Sequence, residues 1–143
     1  MGEIRGVTSS SRRTLSFVVL AGLSPCCLLP LRTLAADASL PQKVTVTTVE
    51  YRFIPKTLRF QHGIPYRLHI VNHGKEQHEF TAPDFFKTID VVDPDVLNAD
   101  KTEIEIPPGA TKTLNFTAKQ AGHYDLRCSD HDWAGMIGRI IVK

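Results

Sequence analysis

Hydrophobic and polar residues alternate with a period of two along much of this chain. Tyr66, Leu68 and Ile70 alternate with Arg67, His69 and Val71, and Ile104 and Ile106 with Glu103 and Glu105. Leu114 and Phe116 alternate with Thr113, Asn115 and Thr117, and Tyr124, Leu126 and Cys128 with His123, Asp125 and Arg127. That period puts one set of side chains on a buried sheet face and the other toward solvent. Val44, Val46 and Val49 among threonines, and Ile140 and Val142 near the end, add two β-branched segments. Turn signals fall between them at Gln61–Pro65, Pro107-Pro108-Gly109 and Gln120-Ala121-Gly122. About six to eight short strands so spaced predict an all-β chain, a Greek-key β-sandwich.

Residues 81–101 break the rhythm. Asp84 is placed to cap a short helical turn beginning at Phe85. Asp90, Asp93, Asp95 and Asp100 do not follow the spacing of a calcium-binding EF-hand loop, so they read as a solvated acidic loop.

Composition narrows the class. The 143 residues suit one domain, and the formal charge is +2. That excess comes from residues 1–38; from Ser39 onward 13 Lys and Arg balance 13 Asp and Glu. A neutral domain without a basic face gives no support for nucleic-acid binding. Residues 1–38 read as an export signal: Arg12-Arg13 precede the apolar run Leu15–Leu23, and Ala36-Asp37-Ala38 is a small-x-small cleavage site. Ser11-Arg12-Arg13-Thr14-Leu15 also resembles a twin-arginine signal. Pro25 and Pro30 keep the apolar run short of the ~20 residues a membrane span needs. The mature domain is then 39–143, soluble in the periplasm and monomeric, with no stable membrane insertion.

Of the three cysteines, Cys26 and Cys27 fall in the leader, which leaves Cys128 alone. A single thiol in an exported domain forms no internal disulfide and needs another explanation. Burial as a small apolar residue is one. Its neighbours supply another, because Cys128, His131 and Met136 stand as Cys-x2-His-x4-Met. Thiolate, imidazole and thioether are a soft donor set that suits copper, and two His with one Cys and a weak axial Met is the blue-copper arrangement. Zinc fits less well, since thioether is not among its usual ligands. The second imidazole has to come from elsewhere, with His78 and His73 as candidates; His62, His69 and His123 read as turn or solvent-face residues.

At these residues the chain resembles the cupredoxins, in particular small blue copper proteins of the plastocyanin, pseudoazurin and azurin type. The run Cys128-Ser129-Asp130-His131-Asp132-Trp133-Ala134-Gly135-Met136 is similar to their ligand loop, and Gly122–Arg127 to the strand before it. Phe53-x-Pro55-x2-Leu58 and Val71-Asn72 resemble the family's N-terminal half, and His78 then matches its first ligand position. Glu79 departs from the asparagine that many members carry after that histidine. The resemblance implies one type 1 copper held by His78, Cys128, His131 and Met136, and electron transfer with no enzymatic reaction. It also implies redox partner proteins that dock briefly near His131, with Trp133 in the patch. A copper carrier or sequestering protein, or a metal-uptake accessory, would use the same ligands.

Overall fold

Among the described residues ten strands form where the alternation predicts six to eight. The computed structural model describes residues 40–143, so the expectations for the export signal at 1–38 lie outside the described residues. In chain order the strands are β1 (Gln42–Val49), β2 (Arg52–Ile54), β3 (Thr57–Phe60), β4 (Pro65–Asn72) and β5 (His78–Thr81). A helical turn, α1 (Pro83–Phe86), precedes β6 (Ile89–Val91), β7 (Glu103–Ile106), β8 (Thr111–Ala118), β9 (Gly122–Arg127) and β10 (Ile137–Val142). β2 and β6 have three residues each, too few for an alternation to register. The helix begins earlier than expected, with Pro83 in its first turn and Ala82, not Asp84, at the cap. Proline suits that position because its missing N–H would have no helical partner there.

The strands make two five-stranded sheets, ordered β2-β1-β4-β8-β6 and β3-β10-β9-β5-β7. β1 runs parallel to β4, and β3 parallel to β10; the other pairs are antiparallel. The inward faces carry the residues the alternation assigns to them: Leu68 and Ile70 from β4, Leu114 and Phe116 from β8, Ile104 and Ile106 from β7, and Leu126 from β9 are buried. Aromatic rings fill the middle. Phe60 lies edge-on to Tyr66 and Phe116 at centroid distances of 4.8 and 5.1 Å, and Phe85 lies edge-on to Phe116 at 5.4 Å. Such offset and edge-to-face pairs add to the apolar burial.

Register fixes two ends. β1 finishes opposite the end of β4, with Thr48 beside Asn72, and β10 starts beside Arg127, next to Cys128. Gln42 pairs with Tyr66, and Val142 with Gly122, at the other end. The chain of this domain therefore enters and leaves at one end, while the ends of β4 and β9 and the start of β5 converge at the other.

Candidate metal centre

Cys128 directly follows β9 on the inward side, and its side chain is completely buried. The loop after it folds on its own backbone. The Cys128 N–H donates to the Met136 carbonyl at 3.0 Å, and the N–H groups of Ala134 and Met136 donate to the His131 carbonyl at 3.1 and 3.2 Å. Asp132–Ala134 form one 3-10 turn, which ends at Gly135 with φ 83°, in the left-handed region that glycine adopts most readily. That reversal brings Met136 back beside Cys128 with its side chain wholly buried.

His78 opens β5, on the other side of the loop, and is also fully buried. Its Nδ1 lies 3.3 Å from His131 Nδ1 and 3.9 Å from Cys128 Sγ, and Cys128 Sγ lies 3.2 Å from His131 Nδ1. The metal-binding atoms of the three residues fall within 4.8 Å of one another, the one such grouping found among the described residues. His73, the competing histidine, is exposed and stands outside it. Two imidazole nitrogens and one sulfur facing one another in a largely buried cluster have the softness and number that a copper ion takes.

Asn72 braces the loop that delivers His78. Its buried Nδ2 donates to the carbonyls of Glu76 and Ile106, each at 2.8 Å, while its Oδ1 accepts from the Gly74 N–H at 2.8 Å. Gly74 passes so near that a Cβ on it would meet His78 Nε2 and Glu50 Oε1 at 3.0 Å. His78 Nε2 itself is buried without a hydrogen-bond partner. Burial holds the His78 imidazole below its ordinary pKa, and the adjacent His131 acts in the same direction, so the ring is kept neutral and its nitrogen lone pair available.

The sulfur has its own neighbours. The Glu79 N–H donates to Cys128 Sγ at 3.4 Å, and the thiol donates to Glu79 Oε2 at 3.0 Å. The same oxygen accepts from the Asp130 N–H at 3.4 Å, so Glu79 ties β5 to the ligand loop although it is not asparagine. Burial pushes the Cys128 thiol up to about 12, with the Glu79 hydrogen bond adding to it. A thiol so disfavoured as an anion stays protonated until a cation arrives, and a coordinating metal deprotonates it outright.

His131 sits at the rim, 13% exposed on its side chain. Its Nε2 lies 3.0 Å from Glu76 Oε2. Tyr51 packs against its ring at 5.2 Å between centroids and reaches Trp133 at 6.0 Å; Trp133 is 78% exposed. Tyr51 belongs to a two-residue hairpin turn, Glu50-Tyr51, between the paired Val49 and Arg52, and has φ 64°. Glu50 in that turn accepts from the Lys75 N–H, which holds its carboxyl below the usual range. Tyr51 and Glu76 escaped the sequence reading. Such turns ordinarily carry Asn or Gly, and Glu-Tyr gives no such signal. Glu76 is one polar residue in a polar loop, and only the fold brings it to His131.

Fold and site together define a two-sheet sandwich with a His-Cys-His metal pocket at one end. A match to the cupredoxin-like domain spans residues 25–142, and the chain belongs to that family. It is 31% identical to the chloroplast plastocyanin of Chlamydomonas reinhardtii over 143 residues, covering 98% of this chain and 90% of that one. Among solved structures it is similar to auracyanin B, with a TM-score of 0.55 and 20% identity over 73% of this chain and 91% of the other. Dithionite-reduced auracyanin from Roseiflexus castenholzii gives 0.54 and 21% over 73% and 99%. The cofactor of the family is one type 1 copper ion.

Proposed function

We propose that this protein is an exported, single-domain blue copper protein that carries electrons between redox partners, in which His78, Cys128, His131 and Met136 would hold the copper ion. The observation that carries this reading is the approach of His78 Nδ1, His131 Nδ1 and Cys128 Sγ to within 4.8 Å inside a buried pocket. Copper bound there supplies a one-electron change between Cu(I) and Cu(II). The protein's part is to keep the donors in place. Asn72 braces one ligand loop, Glu79 joins it to the other, and the Cys128–Met136 backbone bond closes the second. Donors held this way need little rearrangement when the charge changes.

Electrons would pass through the rim, where His131 is flanked by Tyr51 and the exposed Trp133. Aromatic residues are enriched in interface cores, which suits a brief docking contact. The plastocyanin likeness supports transport of electrons over chemistry on a substrate. Residues 1–38, read as a leader, put the mature protein in the periplasm; among the described residues no helix is long and apolar enough to cross a membrane.

The test is the visible and EPR spectrum of residues 39–143 given one equivalent of Cu(II). An intense thiolate-to-copper absorption with narrow hyperfine splitting, lost in Cys128→Ser, is the expected result. A weak tetragonal spectrum, or loss of colour with only Cu(I) retained, would turn the reading toward a copper carrier.

A further inference from the structure

We infer that Glu76 is a positioning residue for the metal centre: its carboxylate fixes the His131 ring through Nε2 and places a negative charge beside the ligand. This rests on the copper reading above. His131 turns Nδ1 into the pocket, 3.2 Å from Cys128 Sγ and 3.3 Å from His78 Nδ1. Its opposite nitrogen, Nε2, is 3.0 Å from Glu76 Oε2. A carboxylate oxygen so close to Nε2 favours the ring proton on that nitrogen, which leaves the lone pair on Nδ1. That is the tautomer a metal facing Nδ1 requires. A metal-bound histidine whose second nitrogen donates to a carboxylate is held in orientation and made a more basic ligand.

Most exposed ion pairs contribute little, because both side chains must be immobilised in water. This one differs at both ends. His131 is largely enclosed, wedged against Tyr51 and next to His78. Glu76 is half-exposed at its carboxylate, but its backbone carbonyl is fastened by the buried Asn72 amide at 2.8 Å. The neighbouring Lys75 N–H is fastened in turn to Glu50. The carboxylate is thus presented from a braced loop. The two imidazoles are unequal as a result: His78 has its outer nitrogen buried with no partner, and His131 has its outer nitrogen on an anion. Negative charge near the metal favours the more positive oxidation state, so Glu76 lowers the reduction potential.

Two variants separate charge from orientation. Glu76→Gln keeps an oxygen acceptor and removes the charge, while Glu76→Ala removes both. Circular dichroism first establishes that each is folded. In the metal-free wild-type protein, NMR is expected to show a slowly exchanging His131 ring N–H, which disappears in Glu76→Ala. In the copper-loaded protein, Glu76→Gln is expected to shift the Cu(II)/Cu(I) equilibrium about tenfold toward Cu(I), a rise of ~59 mV for one electron. The inference is overturned if the wild-type ring N–H is absent, if it survives in Glu76→Ala, or if the potential of Glu76→Gln equals that of the wild type. A wild-type protein that gives no thiolate-to-copper absorption would sink the copper reading instead. The ring N–H would then decide alone whether Glu76 fixes His131.

Discussion

The aromatic middle of the sandwich and its metal-binding end are built on opposite terms. In the middle, Phe60, Tyr66, Phe85 and Phe116 touch one another and need almost nothing polar. At the metal-binding end lie all the buried polar side chains found among the described residues: Thr48, Asn72, His78, Glu79 and Thr81. Burying a polar group costs free energy unless it is hydrogen-bonded. Several are bonded: Asn72 makes three hydrogen bonds, and Thr81 shares Glu103 with Ser129 at 3.0 and 2.9 Å. His78 Nε2 is left without a partner. The apolar middle therefore supplies stability, and the other end spends part of it on holding donor atoms where water would otherwise solvate them.

Phe60→Ala should sharpen that contrast most. Removing a ring enclosed by three others should destabilise the domain by about 3–5 kcal/mol in denaturant titration, with the copper spectrum of the folded protein unchanged. A loss under about 1 kcal/mol would break the idea that the middle carries the fold. Asn72→Ala should show the reverse emphasis. It leaves two carbonyls and one N–H without their partner and should cost about 1–3 kcal/mol. It should also alter the EPR parameters, because the loop carrying His78 loosens; an unaltered spectrum would show that Asn72 matters to the fold alone.

The smallest effect concerns pH in the metal-free protein. His78 has a folded pKa below its ordinary value of about 6.5, so the unfolded chain binds more protons as pH falls through that region. Stability is then lost toward acid. Cys128 has a folded pKa raised to about 12, so above about 9 the unfolded thiol ionises first and stability is lost toward alkali. Thermal melts should therefore fall off on both sides of neutrality. His78→Phe should flatten the acid limb and Cys128→Ser the alkaline one. Limbs unmoved by either variant would place the titrating groups elsewhere.

How much of this could be read from the chain depends on length scale. β4 and β8 have eight residues each, one face buried and the other open, so their alternation is plain. β5 has four residues, all buried, and shows none. On the ligand loop, Cys128, His131 and Met136 stand within nine residues and are visible as a unit. His78 is 50 residues away from Cys128, and only the order of strands brings it there. Tyr51 and Glu76 act through contacts that exist after folding, so no spacing announces them.

The course of the chain has a practical corollary. β1 begins and β10 finishes at the end remote from Cys128, since Gln42 pairs with Tyr66 and Val142 with Gly122. The backbone there is stitched shut, with the His62 N–H on the Lys143 carbonyl at 2.7 Å and the Lys143 N–H on the Phe60 carbonyl at 3.0 Å. A tether fixed beside Gln42 or Lys143, whether to an electrode, a fused protein or a bead, would hold this domain by its back. Trp133 and His131 would face outward, free to meet whatever diffuses past.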